Sequence, residues 1–264
     1  MIKDGFPAGG DRDIVLVTGA NKGIGFEVVR QLAETGQVVL LGARNRKLGE
    51  TATERLHAEG LDVHLLEIDI TDGTSIAVAA DRVQRQFGRL DVLINNAGIL
   101  LEGDFDNAGN EEDVVLPLPS SVSIDIVRRT FSTNTFGAIA MINAFLPLLR
   151  KAKAARIVNV SSRLASLSLA DRVCRGSDET FLALLAYNSS KAALNAATLQ
   201  YAIELRESGI RINAADPGHC ATDINGHLGD RSPADAARAI VHLAGCDSAG
   251  PTGIFYGENG AIDW

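Results

Sequence analysis

Ile14-Val15-Leu16-Val17-Thr18-Gly19-Ala20-Asn21-Lys22-Gly23-Ile24-Gly25 runs from a β-branched strand through spaced glycines into a segment of helical periodicity. Ile24, Val28, Val29 and Leu32 fall on one helical face. In such a turn Gly19 permits the tight bend and Gly23 lets the backbone approach a ligand closely. Gly25 allows the helix to pack closely on its neighbours. The helix start then offers unpaired N–H groups and a favourable dipole to a pyrophosphate. A strand, a glycine turn and a helix in this order specify a dinucleotide-binding α/β unit.

The same alternation continues along the chain. Apolar runs at 38–41, 63–68, 90–94, 156–160, 210–214 and 254–256 bring the candidate strands to seven. Helical patterns fill 46–59, 73–87, 121–150 and 186–207, with a shorter one after Ser232. Continuous apolar strands are those of a parallel sheet covered on both faces. The expectation is one doubly wound Rossmann-type α/β domain over residues 13–264, with a seven-stranded parallel sheet and a flexible tail at 1–12. Three segments resist the regular reading: 100–120, 163–185 and 219–231. All follow strands, at the carboxyl edge where open α/β sheets bind ligands, and the first two read as loop insertions.

Composition narrows the partners. The 264 residues carry a formal net charge of −8, which disfavours nucleic acid and anionic membrane. Cys174, Cys220 and Cys246 are odd in number and lack metal-ligand spacing, so neither a disulfide framework nor a metal is expected. The polar opening residues do not resemble a signal peptide, and no continuous apolar run approaches about 18 residues. A cytoplasmic protein is the expectation.

Tyr187-Asn188-Ser189-Ser190-Lys191 opens a long Ala-rich helix, and a repeat of about 3.6 residues puts the phenol and the ammonium on one face. A phenol beside a fixed ammonium is a proton donor whose conjugate base is tolerated. Taken alone, the pair reads equally as a surface aromatic and a snorkelling cation. Ala43 ends the second strand where an acidic residue would hold an adenosine ribose. Arg44 follows it, and Lys22 precedes Gly23. A guanidinium and a lysine suit a 2′-phosphate, so the expected cofactor is NADP(H); the alternative is two solvated surface charges.

The spacing TGxxxGxG at Thr18 to Gly25, Asn95-Asn96-Ala97-Gly98 after the fourth strand, and Pro217-Gly218 after the sixth occur in order with Asn134, Ser162, Tyr187 and Lys191. In these motifs the chain resembles the short-chain dehydrogenase/reductase superfamily from about residue 14 onward. Gly42-Ala43-Arg44, the run from Asp216 to Asp223, Gly250 to Tyr256 and Trp264 are most similar to its carbonyl-reductase branch. The resemblance implies that Tyr187 protonates a carbonyl oxygen as hydride arrives from the nicotinamide. Lys191 would favour the tyrosinate and bind the nicotinamide ribose, Ser162 would orient the carbonyl, and Asn134 would hold a water linking Lys191 to solvent. Ser161 competes with Ser162 for its role, and Asn134 reads also as a structural side chain.

Cofactor contacts are implied for Gly19, Asn21, Lys22, Gly23, Ile24, Gly25, Arg44, Asp69, Ile70, Asn96, Ala97, Gly98, Tyr187, Lys191, Pro217, Gly218 and Thr222. Asp69 and Ile70 would border the adenine, Asn96 to Gly98 the ribose, and Thr222 the nicotinamide amide; Asp69 also reads as a helix cap. His219 reads as a loop histidine or a pocket residue. Leu164, Leu167, Phe181, Leu182 and Leu185 either wall the pocket or pack the insertion. The implied activity is NADPH-dependent reduction of a ketone or aldehyde to an alcohol. The alternatives are a terpenoid or steroid secondary-alcohol dehydrogenase and, less favoured, a cofactor-sensing non-enzyme. The partner is a small carbonyl or alcohol molecule. The Ala-rich helix from Ala192 favours a homo-oligomer, dimer or tetramer, with a monomer left open because such insertions can cover the dimer face.

Overall fold

The computed structural model describes residues 12–105, 109–110, 113–179 and 181–264. Its strands are β1 (Ile14–Val17), β2 (Val38–Ala43), β3 (Val63–Glu67), β4 (Val92–Asn95), β5 (Arg156–Val160), β6 (Arg211–Ala215), β7 (Phe255–Gly257) and β8 (Gly260–Ala261). Its α-helices are α1 (Gly23–Glu34), α2 (Arg46–Ala58), α3 (Gly73–Phe87), α4 (Ile124–Phe131), α5 (Ala138–Leu149), α6 (Leu167–Cys174), α7 (Leu185–Glu204) and α8 (Pro233–Ala244). The sheet order is β3-β2-β1-β4-β5-β6-β7-β8, parallel through β7. The chain reverses direction across the sheet between β1 and β4, which opens a crevice at their carboxyl ends.

Alternate residues of each strand enter opposite cores. Val15, Val17, Val158 and Val160 meet Val28, Val29 and Leu32 of α1, Leu56 of α2 and Ile240 of α8. Ile14, Leu16 and Ile157 meet Val83 of α3 and Met141, Ile142 and Phe145 of α5. Burial on both faces is why the strands lack a polar alternation.

Several expectations need correction. The sheet has eight strands: after β7 the chain turns through Glu258-Asn259 and pairs antiparallel, Tyr256 with Ala261 and Gly257 with Gly260. Gly260, at φ 104°, makes that return possible, and a two-residue strand is too short to show a period. The helix expected over 121–150 is interrupted by a π-helical turn, Ser132–Gly137. By length and composition, 124–149 would be apolar enough to cross a membrane, but half of its most apolar window is buried inside the protein. The segment 163–185 contains a 3₁₀ turn, Arg163–Ala165, and α6, whose N-cap Ser166 accepts the Leu169 N–H at 3.1 Å. Of the expected tail only Arg12 lies among the described residues, and it is tethered to Asp62 at 2.7 Å. Residues 106–108 and 111–112 of the first insertion, and 180 of the second, lie outside the described residues.

Candidate active site

The glycine turn is held from below by Thr18, whose side chain is fully buried. Its hydroxyl accepts the N–H groups of Asn96 (3.0 Å) and Ala97 (3.1 Å) and donates to the Ile94 carbonyl (3.3 Å). Asn96 Nδ2 donates in return to the carbonyls of Thr18 (2.9 Å) and Gly19 (3.2 Å). This clasp leaves no room for larger residues. A Cβ on Gly19 would lie 2.8 Å from Ala97 Cα, and one on Gly25 would lie 2.4 Å from Asn96 Nδ2. The Asn96 side chain and the Ala97 backbone thus brace the glycine turn.

The first turn of α1 has no side-chain cap, Lys22 standing at the N-cap. Its first N–H groups receive no side-chain cap, which leaves them available to an anion such as a pyrophosphate. Across the gap, a Cβ on Gly23 would come within 3.4 Å of Thr222 Cγ2. Thr222 is buried in a capping box with Asn225, in a loop pinched at its base by Ala221 N to Arg231 O (2.9 Å) and Arg231 N to His219 O (3.1 Å). Asn21 and Ile24 stand half-buried in the glycine segment itself.

The two cations assigned to a phosphate are held by different loops. Lys22 Nζ bonds the carboxylate of Asp223, which also lies 3.0 Å from His227 Nε2. Arg44, largely exposed, has its Nε 4.0 Å from Asp69 Oδ2. Asp69 is not a helix cap: it accepts the Thr71 N–H at 2.9 Å, while Asp72 caps α3 through the Thr74 N–H at 2.8 Å. Ile70 is buried against Gly137, where a Cβ would meet its Cδ1 at 2.8 Å.

Deeper in the crevice the catalytic candidates converge. Lys191, 3 % exposed, donates from Nζ to the Val160 carbonyl at 2.8 Å. Among the described residues that carbonyl is its one hydrogen-bond acceptor, so two N–H groups remain. Burial pushes its pKa down to about 8. The ammonium lies 5.8 Å from the centroid of the Tyr187 ring. Burial, and then the charge of Asp216, push the phenol up to about 12, while a hydrogen bond with the Ser162 hydroxyl offsets part of the rise. Ser161 is otherwise engaged, donating to Asn195 Oδ1 at 2.6 Å in a fully packed position. The geometry thus separates the two serines.

Asn134 sits in the π-helical turn and clamps Ile99. Its Oδ1 accepts the Ile99 N–H at 2.8 Å, and its Nδ2 donates to the Ile99 carbonyl at 2.9 Å and to Ser190 Oγ at 3.0 Å. Both amide hydrogens are therefore spent on protein. A Cβ on Gly98 would lie 3.3 Å from Lys191 Nζ and 3.5 Å from Asn134 Oδ1, so all three share one small space.

Two residues to which the sequence assigns no role help hold the site. Asp216, 7 % exposed, accepts the N–H groups of Arg163 (3.0 Å) and Gly218, tying the loop after β5 to the Pro217-Gly218 turn. Burial raises its pKa. Glu102, 2 % exposed, accepts the Tyr187 N–H at 2.8 Å. Both stood in plain view as acidic residues flanking motifs, but nothing in the sequence marks them as buried. His219 lines a cavity of about 420 Å³ with Arg163, Arg172, Asp216, Arg231 and Glu258. Of the leucines proposed for the pocket, Leu167 is 70 % exposed and does not wall a closed site. Among the described residues no cluster suits a metal ion.

Residues 13–232 match the family model described as short chain dehydrogenase. The chain is 35 % identical to (+)-neomenthol dehydrogenase of Capsicum annuum, over 91 % of this chain and 94 % of that protein. It is 32 % identical to carbonyl reductase [NADPH] 1 of Bos taurus, over 95 % and 98 %. Its fold superposes on an NADPH-bound carbonyl reductase from chicken fatty liver with a TM-score of 0.76 at 28 % identity, covering 96 % of this chain and 100 % of that one. With its glycine turn, clasp and Tyr-Lys pair so arranged, the chain belongs to the short-chain dehydrogenase/reductase family, in the carbonyl-reductase-like branch.

Proposed function

We propose that this oxidoreductase uses NADP(H) to reduce a ketone or aldehyde to an alcohol, reversibly, with Tyr187 as the acid. The observation that carries the reading is the meeting of Tyr187, Ser162 and Lys191 in one half-buried space beyond the glycine turn.

The residues fit the cofactor. The uncapped start of α1 suits a pyrophosphate, and the two spare N–H groups of Lys191 suit ribose hydroxyls. Arg44 and Lys22 suit a 2′-phosphate, for which Lys22 would exchange its Asp223 partner. The names of the bovine relative and of the chicken structure support the phosphorylated cofactor. When bound, NADPH would supply the hydride.

The chain's own task is the proton. Reduction puts negative charge on the carbonyl oxygen, and an O–H donor fixed there lowers the barrier. Ser162 holds the carbonyl and shares its hydroxyl with the phenol. Tyr187, with its pKa pushed up to about 12, stays protonated throughout the neutral range and so stands ready as acid. Lys191 stabilises the tyrosinate left behind. Asn134 has no spare donor, so the relay water rests on its remaining Oδ1 lone pair and on the loosened backbone of the π-helical turn.

Tyr187→Phe removes only the phenolic oxygen. The expected outcome is a fall in kcat of at least about 10³-fold with an aryl ketone, while NADPH still binds with near-wild-type affinity by fluorescence titration. Turnover within tenfold of wild type would end the assignment. The neomenthol dehydrogenase relative favours a second reading, oxidation of a terpenoid secondary alcohol at the same groups. A panel of cyclic alcohols with NADP⁺ distinguishes the two. The free cysteines support a reducing, cytoplasmic setting.

A further inference from the structure

The helix that carries Tyr187 and Lys191 begins without a cap of its own. Leu184 occupies the N-cap of α7 with no side-chain bond, and its first turn contains no acidic residue. The first N–H groups of any helix need acceptors from elsewhere. Tyr187 is the third residue of α7, the position whose N–H a capping Ser or Asp ordinarily receives. Here the acceptor is Glu102 Oε2, at 2.8 Å, from 85 residues earlier in the chain.

Glu102 is anchored in turn. It lies shortly after Ile99, which Asn134 grips by both its N–H and its carbonyl. Asn134 also bonds Ser190 of α7, and Thr135 donates to the Ser190 carbonyl at 2.8 Å. The segment after β4 therefore touches α7 twice, at Ser190 through Asn134 and at Tyr187 through Glu102. Gly98, just upstream, lies against Lys191. One short stretch of chain thus sets the height and tilt of the helix turn that bears the acid.

The arrangement is expensive for a mere cap. Glu102 is 2 % exposed, and its Oε1 has no hydrogen-bond partner among the described residues. A buried carboxyl with so few bonds costs stability, whereas a serine at position 184 would satisfy the same N–H locally. A local cap, however, would not join the helix to the segment beside the cofactor turn.

We infer that Glu102 is a positioning residue: its carboxyl, accepting the Tyr187 N–H, fixes the first turn of α7 so that the phenol meets the carbonyl beside Ser162. The inference rests on the reductase reading of Tyr187, and its test includes a readout that does not.

Glu102→Ala removes the acceptor, and Glu102→Gln keeps an oxygen at the same reach. With folding verified by circular dichroism, Glu102→Ala should lose about 10- to 100-fold in kcat, as expected for a sub-ångström misplacement. Its NADPH KM should stay within about threefold, and the Tyr187 amide should exchange with deuterium faster than in wild type. Glu102→Gln should restore kcat to within about threefold of wild type, with the amide protected again. A folded Glu102→Ala enzyme with wild-type kcat, or a Gln variant as impaired as the Ala one, overturns the inference. If Glu102→Ala does not fold, Glu102→Asp takes its place: one methylene short, it should lose kcat where Gln does not, and equal activity of Asp and wild type overturns it. A wild-type protein without turnover defeats the reductase reading instead, and amide exchange then still decides whether Glu102 caps α7.

Discussion

The crevice at the carboxyl ends of β1 and β4 has two walls built on opposite rules. Around Thr18 the donors of the clasp are spent: the hydroxyl makes three bonds, and the Asn96 amide nitrogen grips two carbonyls. Around Lys191 the ammonium is buried and the phenol half-buried, and both keep capacity in hand, with two ammonium N–H groups unspent among the described residues and a phenol whose pKa is pushed up to about 12. A saturated buried network defines shape, and an unsaturated one is poised for chemistry. The first wall should therefore fail through folding and the second through turnover.

The sharpest break is Lys191→Met. Reductase kcat/KM should fall by about 10³-fold, since both the proposed tyrosinate partner and the proposed ribose contact go. Stability near neutral pH should fall far less, because a buried ammonium is costly to keep. The sign with pH follows from the lowered pKa. The folded state releases this proton at about 8 against an ordinary 10.5, so it favours folding increasingly as pH rises through that window. Cys220, whose thiol burial pushes up to about 11, works the other way over the same range, so the test is the difference: urea unfolding should show wild-type stability rising relative to Lys191→Met between pH 7.5 and pH 10. On the proposed role, the same Lys191 proton should shape the alkaline limb of reduction, activity declining as pH rises past about 8 while Tyr187 remains protonated, as a pH profile of kcat checks.

Asn96→Ala should do the reverse. It strands the carbonyls of Thr18 and Gly19 and should cost about 2–3 kcal/mol of unfolding free energy by urea titration. In the fraction that remains folded, kcat should change little. A large kcat loss without a stability loss would erase the distinction between the walls. The smallest effect belongs to the rim: Arg44→Asp should lower the preference for NADPH over NADH by about tenfold, read from kcat/KM with each cofactor.

The saturated wall was legible in the sequence and the poised wall only in part. The glycine spacing and Asn95-Asn96-Ala97-Gly98 are short contiguous motifs, so local pattern finds each of them, although the bonds joining Thr18 to Asn96 span 78 residues. Tyr187 and Lys191 were legible through helical spacing. Ser162 became distinct from Ser161 only when Asn195 was seen to take the latter's hydroxyl. Glu102 and Asp216 were illegible because burial of a lone acidic residue depends on contacts made by distant chain. The pairing of Lys22 with Asp223 spans 201 residues and leaves no local trace. β8 escaped because two residues carry no period.

The π-helical turn at Ser132–Gly137 has a consequence of phase. Each residue added to a regular helix swings everything beyond it by about 100°. Before the turn, α4 must lie against α7. After it, α5 must aim Met141, Ile142 and Phe145 into the sheet. Excising one residue here would mend the ladder yet rotate one half out of alignment, pulling either Asn134 from Ile99 or Phe145 from its core. The bulge works as a gear between two azimuths that no straight helix could serve together.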